Sequence, residues 1–287
     1  MKNNALQMQI YDYAIVGGGM AGLQLVYAML KDSFFYNKSI LIIEKDDKEI
    51  NDKSWSFWEN GKGEWDDIVH KQWSSAHFIS KDYEKLFSLQ PYAYKMIRSI
   101  DFYKKVKQKI ANHQNISWVK DSIQSVHKNI PIRCIGEQNT YKAKQVFDSR
   151  LNDDYKKAET PFVLQHFIGH FIKTETKIFD SNSFIMMDFS APYKDQCSFM
   201  YVLPFDKNNA LIEFTFFNST TYEAPIYLNA IKKYMERNFG VSNYTIENTE
   251  KGVIPMSSFD FSKENNKNYL KNWHCRWMGK SIFRIFF

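Results

Sequence analysis

The stretch that decides the fold, "YAIVGGGMAGLQLVYAML", occupies residues 13–30 and contains no charged side chain. A helix that spans a membrane needs a similar length, about 20 apolar residues. Residues 17–19 are all glycine, however, and each glycine in a helix interior costs roughly 1 kcal/mol. Residues 11–16 are dominated by aromatic and β-branched side chains, whereas residues 20–30 are rich in Met, Ala and Leu. The pattern therefore favours a buried strand, a glycine loop and a helix over a membrane anchor.

Three glycines of this stretch, Gly17, Gly19 and Gly22, have the spacing G-x-G-x-x-G between the predicted strand and helix. Glycine at these positions lets the turn tighten and lets a diphosphate approach the backbone. The helix opens at Met20 and Ala21, and the N-terminus of a helix offers N–H groups and partial positive charge to an anion. The loop is therefore a candidate phosphate-binding site.

A second predicted strand, at residues 39–43, is followed by Glu44, which lies 22 residues after Gly22. An acid at this distance accepts the ribose hydroxyls of a bound dinucleotide. The order strand, loop, helix, strand and acid predicts a dinucleotide site, and the alternative is a glycine turn that serves packing alone. The aromatic segment "NDKSWSFWE", at residues 51–59, is unlike a second βα unit and favours FAD over NAD.

The composition of the 287 residues, 44% hydrophobic and 17% aromatic, is sufficient for one large domain or two interleaved ones. Cys134, Cys197 and Cys275 show neither metal-ligand spacing nor an even-numbered disulfide set, which indicates a reducing compartment. The net charge of +6 permits binding to anionic lipid without requiring it, and we find no nucleic-acid motif. A signal peptide is not expected, because Lys2 is a single early lysine and no cleavage site follows.

Regular elements beyond the glycine loop are indicated by residue patterns. Phe102, Val106 and Ile110 recur at four-residue spacing beside the lysines at 104, 105, 107 and 109, which predicts an amphipathic helix with a solvated basic side. A membrane-facing patch is the alternative for these lysines. Residues 162–217 are rich in predicted strands, and a helix at 225–239 is expected to be closed by Gly240.

The chain resembles the lycopene cyclase family of flavoproteins, in its bacterial β-cyclase branch, over nearly its whole length. Several of the matching segments are weakly specific individually, but their order along the chain is specific to the family. They are "YDYAIVGGGMAGLQL" (11–25), "NDKSWSFWE" (51–59), "PYAYKMIRSIDFY" (91–103), "VFDSR" (146–150), "LQHFIG" (164–169), "FIMMDF" (184–189), "MYVLPF" (200–205), "ALIEFT" (210–215) and "GVIPM" (252–256).

The resemblance implies an α/β fold in which an FAD-binding, Rossmann-like (GR2-type) parallel sheet is interleaved with an antiparallel-sheet substrate domain. The implied FAD-binding domain is discontinuous and comprises residues 8–60, 100–150 and 245–287, whereas residues 61–99 and 160–244 form the carotenoid domain. Members of the family close the ends of the linear carotenoid lycopene into β-rings, giving γ-carotene and β-carotene. The reaction has no net redox change, yet it uses FAD in its reduced form, and NADPH is a candidate reductant.

Such a cyclisation requires an acid that is still protonated near neutral pH, and burial among apolar side chains raises a carboxyl pKa. Glu213 is a candidate, because it shares one strand face with Leu211 and Thr215 in an apolar segment. Phe214, its sequence neighbour, is expected on the other face of the strand. The alternative is a strand acid that points at water. By resemblance, Glu213 matches the first acid of the family motif F-L-E-E-T, while Phe214 stands at the second, so any role for two adjacent carboxylates is left open.

Other charged residues are candidates for the same chemistry. Asp188 is a second candidate donor or partner, with turn capping or hydrogen bonding as the alternative. Glu59 is a candidate acid or base, and Arg98 either neutralises the flavin diphosphate or pairs with an acid in the core. His166 is expected to be a core histidine with satisfied hydrogen bonds rather than a catalytic group.

Aromatic side chains are candidates for the substrate pocket, because their faces attract a developing cation. Trp55, Phe57 and Trp58 come from the segment 51–59, and Phe214 adjoins the candidate acid. Simple core packing is the alternative for each of them.

Two further functions remain open. An FAD-dependent monooxygenase or prenyl reductase would share the glycine loop, and an inert FAD-binding fragment would share the fold.

The family pattern stops near Lys271. A second glycine motif is expected after this residue, but the chain continues with "NWHCRWMGKSIFRIFF". Read from the second base of the Asn272 codon, permitted codons give I-G-T-A-G-G-W-A-K-A-S-S-G-Y-F, so we expect a one-base frameshift, either a lesion or a sequencing error. A chain truncated in this way is expected to bind FAD weakly, and the sequence leaves open whether it is active.

Lycopene and other linear carotenoids dissolve only in lipid, which sets the expected location. We expect a cytoplasmic protein that attaches peripherally to the inner face of the cytoplasmic membrane, without a spanning helix. The sequence leaves the oligomeric state and the number of cyclised ends open.

Overall fold

The computed structural model describes residues 9–151, 156 and 161–271, and the predicted frameshift after Lys271 lies outside these residues. The chain divides into two compact units, each assembled from separate segments. Among the described residues, the first unit draws on 9–55, 98–151 and 260–271, and the second draws on 56–97, 156 and 161–259. Each unit is built around sheets with their own cores.

The regular elements of the described residues are numbered in chain order. Three helices are α1 (Met20–Met29), α2 (Ser99–Ala111) and α3 (Ala224–Phe239), and short 3-10 turns lie at Ser33–Phe35, Asp66–Ile68 and Phe261–Glu264. The strands are β1 (Ile10–Val16), β2 (Ile40–Glu44), β3 (Ser54–Asn60), β4 (Val69–Trp73), β5 (Ser75–Ile79), β6 (Glu84–Ser88), β7 (Tyr92–Arg98), β8 (Ile116–Lys120), β9 (Ile123–His127), β10 (Ile132–Gly136), β11 (Thr140–Asp148), β12 (Phe162–Lys173), β13 (Ser183–Asp188), β14 (Ser198–Pro204), β15 (Asn209–Asn218), β16 (Thr245–Ser257) and β17 (Tyr269–Lys271).

The first unit contains a mixed sheet with the strand order β8-β2-β1-β11-β10-β9, to which β17 adds beside β11. The pairs β1–β2, β2–β8, β1–β11 and β11–β17 are parallel, whereas β9, β10 and β11 pair antiparallel. The parallel strand β2 is buried at all five positions, because both faces of a parallel sheet are covered. This arrangement confirms the predicted α/β class and the βαβ order at the start of the chain.

Helix α2 carries the predicted lysine cluster. Its buried side includes Phe102, Val106 and Ile110, as the four-residue spacing predicts. The Nζ atom of Lys109 lies 4.4 Å from the ring centroid of Tyr27 on α1, and Lys105 lies 5.9 Å from the same ring. The amphipathic helix is therefore confirmed, and several of its lysines lie over aromatic rings.

The second unit contains a seven-stranded sheet with the order β16-β12-β15-β14-β13-β5-β6. Strands β16, β12, β15, β14 and β13 pair antiparallel in that order. A separate three-stranded sheet has the order β3-β7-β4. The predicted strand-rich stretch at 162–217 is confirmed, as is the helix at 225–239, whose C-cap Gly240 has a left-handed φ of 66°.

Alternate residues of the long strand β15 enter two different cores. Ile212, Phe214 and Phe216 pack in a cluster with Tyr227, Ile231 and Tyr234 of α3. Leu211, on the other face, packs in a cluster with Trp73, Met96, Phe184 and Leu203, which Tyr94 and Tyr201 flank. Glu213 and Thr215 follow Leu211 at two-residue spacing and share its face. We call this side of the sheet the Glu213 face.

The observed units differ from the predicted domain ranges at three places. Residues 98 and 99 were predicted to join the carotenoid domain, but they lie in the first unit. Residues 56–60 and 245–259 were predicted to join the FAD-binding domain, but they lie in the second unit. The reason for the larger difference is strand pairing, because β16 is hydrogen-bonded along β12 from Phe162–Ser257 to Lys173–Thr245. Within the described part of the chain, no helix has both the length and the apolarity to cross a bilayer.

Candidate functional site

The glycine loop between β1 and α1 has the backbone that its spacing predicts. Gly17 has a φ of +98°, a conformation that side chains rarely adopt. A Cβ atom at Gly22 would lie 2.0 Å from the carbonyl oxygen of Gly17, so close packing of helix on turn requires glycine there. Gly19 differs, because a Cβ built on it meets no atom of the described residues within 4 Å. The loop therefore leaves open space beside its second motif glycine.

The N-terminus of α1 adjoins this open space. Gly19 is the N-cap of the helix, and no side chain among the described residues caps it. The first turn contains no acidic residue, so the partial positive charge of the helix end is not neutralised from within the turn. The backbone at Gly19 and Met20 thus offers the arrangement that binds an anionic diphosphate.

Glu44 ends β2 next to the glycine loop. Its side chain is buried, and Oε2 accepts a hydrogen bond of 2.5 Å from the N–H of Gly18. Oε1 accepts one of 3.1 Å from the N–H of Asp46 and lies 3.5 Å from Nζ of Lys48. The structure thus places the predicted ribose acid against the predicted phosphate loop, and these residues fit a dinucleotide.

The segment "VFDSR" supports the loop from the neighbouring strand β11. Ser149 donates hydrogen bonds from Oγ to the carbonyl oxygens of Val16, at 2.9 Å, and Gly17, at 3.0 Å. Asp148 is fully buried and ion-paired with Arg150, at 2.8 Å, and Lys271, at 3.3 Å. Although burial opposes ionisation, the hydrogen bond and charge of Arg150 lower the pKa of the Asp148 carboxyl. The carboxyl end of β1 is thereby held by the end of β11, which is itself held by ion pairs.

The second unit holds a buried acid. Glu213 is 7% exposed in the middle of β15, and Oε1 accepts a 2.7 Å hydrogen bond from the Thr215 hydroxyl. Burial, reinforced by the negative charge of Glu250, raises the pKa of the Glu213 carboxyl from 4.5 to about 8. The carboxyl is therefore mainly protonated at neutral pH and can donate a proton.

Two tyrosines lie beside this acid. Tyr201 is the cross-strand neighbour of Glu213 on β14, and its hydroxyl lies 2.8 Å from that of Tyr94 on β7. Ser56 also hydrogen-bonds to both tyrosine hydroxyls. Burial, together with the charge of Glu213, raises the pKa of both phenols, so both are neutral hydrogen-bonding groups. Sequence reasoning missed this pair, because Tyr94 and Tyr201 are distant in the chain.

Aromatic rings surround the tyrosine pair. The rings of Tyr94 and Phe184 are stacked with centroids 4.6 Å apart, and the Trp58 ring lies 4.6 Å from that of Tyr94. Trp73 is buried next to Phe184, and its indole N–H donates a 2.9 Å hydrogen bond to the carbonyl oxygen of Pro204. The Glu213 face thus combines one protonated acid with an apolar, π-rich wall that suits an unsaturated hydrocarbon.

Comparison with known protein families decides the assignment. The family model of lycopene cyclase proteins matches residues 12–270, which is most of the chain. The chain belongs to the lycopene cyclase family. A search of curated proteins gave no significant match to this cyclase-family chain.

Solved structures with a similar fold include proteins described as flavin-dependent or FAD-dependent. A geranylgeranyl bacteriochlorophyll reductase-like protein from Thermoplasma acidophilum has a TM-score of 0.66 at 12% identity, over 92% of this chain and 70% of that one. A flavin-dependent brominase has a TM-score of 0.61 at 13% identity, over 92% and 71%. A probable FAD-dependent monooxygenase from Pseudomonas aeruginosa has a TM-score of 0.59 at 10% identity, over 92% and 78%. At such identities the likeness shows the fold, and it confirms the predicted Rossmann-like, FAD-binding fold class.

Asp188 of this lycopene cyclase homologue lies on the face of the sheet that α3 covers. Its Oδ2 accepts a 2.7 Å hydrogen bond from the hydroxyl of Tyr234, and its Oδ1 accepts one of 2.8 Å from the N–H of Ser190. Asp188 pairs with Met200, which belongs to the helix-covered core. These contacts correspond to the hydrogen-bonding alternative, and its predicted role as proton donor gains no support from them.

Glu59 and Arg98 are both engaged in local ion pairs. Glu59 Oε2 lies 2.8 Å from Nζ of Lys95, which also contacts Asp66 at 2.5 Å. Arg98 Nε donates a 2.7 Å hydrogen bond to Asp101 Oδ2, and its side chain is 42% exposed. Arg98 thus pairs with Asp101 in the first turn of α2 and not with an acid in the core. Its role in neutralising a flavin diphosphate stays a prediction.

The predicted pocket aromatics occupy different environments. Trp58 lies on the aromatic wall near Tyr94, as described above. Phe214 is fully buried on the opposite face from Glu213, because neighbouring residues of a strand point to opposite sides. Phe214 therefore does not line the Glu213 face, where its pocket role was predicted. Trp55 packs edge-on against Phe102, at 5.6 Å, in the first unit, while Phe57 is partly buried.

His166 was expected to be a satisfied core histidine, and it is buried at 1% exposure. Its Nδ1 lies 2.5 Å from the hydroxyl of Tyr227, and its ring stacks on Phe216 with centroids 5.3 Å apart. Its Nε2 has no hydrogen-bond partner among the described residues, so the expectation is met at one nitrogen only. Burial lowers the pKa of His166, which favours the neutral ring.

Proposed function

We propose that this protein is a lycopene β-cyclase, which closes the ψ-ends of lycopene into β-rings to give γ-carotene and β-carotene. The observation that carries the proposal is the buried Glu213 carboxyl on an aromatic sheet face, with a pKa raised to about 8. An acid of this kind is suited to protonate a carbon–carbon double bond in an apolar environment at neutral pH. The membership of the lycopene cyclase family supports a carotenoid as the substrate.

The proposed reaction transfers protons without net transfer of electrons. The Glu213 carboxyl donates its proton to the terminal double bond of the polyene, which leaves a cation on the neighbouring carbon. The next double bond attacks that carbon and closes the ring, and loss of a ring proton then restores a double bond. One proton enters and one leaves, so the product is an isomer of the substrate.

The first unit would hold FAD in this proposal. The diphosphate would lie at Gly19 and the start of α1, where the loop is open, and Glu44 would accept the adenosine ribose hydroxyls. Reduced FAD, when bound, supplies an electron-rich ring that stabilises positive charge. The faces of Trp58 and Tyr94 would also attract the cation. We propose NADPH as the physiological reductant of the flavin.

Purified protein with added FAD, lycopene in detergent and an excess of reductant tests this proposal. We expect a product of unchanged mass with one or two β-rings, and NADPH consumption that does not increase with the number of rings formed. Hydride consumption in proportion to product would identify a prenyl reductase, and oxygen incorporation would identify a monooxygenase. Unchanged lycopene, in protein that binds FAD, would contradict the cyclase proposal and support an inert FAD-binding protein.

The role of Glu213 is tested by Glu213→Gln, which keeps the shape of the side chain and removes the acidic proton. We expect ring formation to fall by at least about 100-fold, within the range for loss of a general acid, with FAD affinity unchanged. Asp188→Asn is the matched control, because Asp188 is also a buried strand acid but lies on the opposite face. If it folds, it should retain ring formation.

A further inference from the structure

The neighbour of Glu213 on β12 is Gly169. Gly169 is paired on its other side with Glu250 of β16. Residues that pair directly across antiparallel strands point to the same face, so Glu213 and Glu250 flank Gly169 in one row. The backbones of β15 and β16 are separated by two strand spacings, about 10 Å, and the intervening residue has no side chain to fill the gap.

The space over Gly169 is narrow, because side-chain atoms of Leu211 and Glu213 border it. A Cβ atom there would lie 2.9 Å from Cδ1 of Leu211 and 3.2 Å from Cβ of Glu213. A larger residue would therefore push against Glu213 and stand between the two carboxyl groups. Glu213 is buried, whereas Glu250 is only partly buried, so the pair joins an enclosed acid to one that contacts solvent.

Among the described residues, the other hydrogen-bonding neighbours of Glu213 bear no permanent charge. Tyr201 faces it from β14, Tyr94 from β7, and Thr215 shares its strand, and all three are neutral hydrogen-bonding groups at neutral pH. Within the described residues, Glu250 is the charge that acts on Glu213, and like charge favours the protonated form. An acid at position 214, next to Glu213 in the sequence, could not take this role, because the side chain at that position points to the other face of the sheet.

We infer that Glu250 is the second carboxyl group of the Glu213 site and acts through Glu213, by holding the proton on that residue across the gap at Gly169. The catalytic meaning of this inference rests on the proposed function, since a cyclase needs Glu213 in its acid form. Glu250 is thus a positioning residue whose charge, rather than its shape, matters. A pair of adjacent carboxylates is supplied by strand pairing, not by neighbouring positions in the sequence.

The test measures the proton on Glu213 directly, in protein without substrate. Infrared spectra of glutamate-labelled protein would be titrated with pH, and the protonated carboxyl band assigned by its loss in Glu213→Gln. We expect Glu250→Gln to lower the titration midpoint by about one pH unit, which is a tenfold loss of the acid form above the midpoint. Glu250→Lys should lower it further, and Glu250→Asp should restore most of it.

The matched control is Glu247→Gln, which removes the same charge from the exposed part of the same strand. It should leave the midpoint unchanged. An unchanged midpoint in Glu250→Gln, or an order of midpoints that does not follow the charge at position 250, would overturn the inference. If the midpoint shifts but no variant or parent forms rings, the proposed function fails while the carboxyl pair stands.

Discussion

At the scale of single residues, the raised pKa of Glu213 makes the stability of the folded protein depend on pH. In the unfolded chain the carboxyl has its ordinary pKa of 4.5, whereas in the folded protein the pKa is about 8. Between these values the folded state binds a proton that the unfolded state has lost, so stability decreases as pH rises. The stabilising contribution is fully present below pH 4.5 and is lost as pH approaches about 8.

Glu213→Gln should remove this pH dependence. Relative to the parent protein, the free energy of unfolding of the variant should increase by about 1.4 kcal/mol per pH unit across the window between the two pKa values. Denaturant titrations at pH 5, 6 and 7, values chosen as roughly evenly spaced points in that window, would measure it. A stability difference that stays constant with pH would show that Glu213 is not protonated by burial.

Thr215 acts on the same carboxyl in the opposite sense from Glu250. Its hydroxyl donates a 2.7 Å hydrogen bond to Glu213 and thereby lowers the pKa of that carboxyl. Thr215→Val has a similar shape and lacks the donor, so the pKa should rise by about one unit. Ring formation should then persist to higher pH, and the pH of half-maximal rate on the alkaline side should shift upward. A downward shift, or none, would contradict the assignment of Glu213 as the acid.

At the scale of elements, the glycine loop allows fold and ligand binding to be separated. Gly22→Ala places a Cβ atom 2.0 Å from the carbonyl oxygen of Gly17, so it should destabilise the junction of β1 and α1 by about 3 kcal/mol, the upper end of the usual range for overpacking. The Cβ atom of Gly19→Ala would meet no atom of the described residues within 4 Å, so this change should leave stability nearly unchanged. Because that space is where a diphosphate would approach, Gly19→Ala should nevertheless weaken FAD binding at least about tenfold.

Thermal unfolding without ligand and fluorescence titration with FAD would measure the two effects independently. Gly61→Ala in the second unit is not a suitable control, since Gly61 has a positive φ of +70°. Wild-type FAD affinity in Gly19→Ala, with normal stability, would place the diphosphate elsewhere.

The elements that the sequence predicted are those with local signals. The glycine spacing, the period of Phe102, Val106 and Ile110, and Gly240 at a helix end each depend on residues within a few positions of one another. Alternation along β15 also predicted that Glu213 and Phe214 would face opposite sides, although the pocket assignment of Phe214 did not use it. Local chemistry was therefore sufficient for element type and for the candidate acid.

The surroundings of Glu213 could not be predicted in the same way. Glu250 comes near it through strand pairs with Gly169, whose partners lie far apart in sequence, and register is set by the whole sheet. Tyr201 comes from the preceding strand, and Tyr94 comes from a separate sheet through its hydroxyl contact with Tyr201. The same holds for Asp188, whose partner Tyr234 is 46 residues away on α3. An acid in an apolar strand indicates burial, but the fold decides which groups share its face.

At the scale of the whole molecule, the net charge and the proposed carotenoid substrate together predict how the protein binds a membrane. The chain carries a net charge of +6, and several lysines of α2 already lie over aromatic rings, so attraction to lipid should be distributed rather than localised on that helix. Such attraction is screened at separations beyond about 8–10 Å at physiological salt. Peripheral and reversible binding to anionic lipid is therefore the expected mode.

Co-sedimentation with vesicles tests this expectation. The protein should bind vesicles of phosphatidylcholine and phosphatidylglycerol more tightly than vesicles of phosphatidylcholine alone, and raising the salt from about 0.1 M to about 1 M should release most of it, because the Debye length falls from about 10 Å to about 3 Å. Lys104→Ala, an exposed lysine of α2, should change the affinity only slightly if the attraction is distributed. Binding that is independent of both lipid charge and salt would instead indicate insertion of an apolar surface, and loss of all binding in Lys104→Ala would locate the contact on α2.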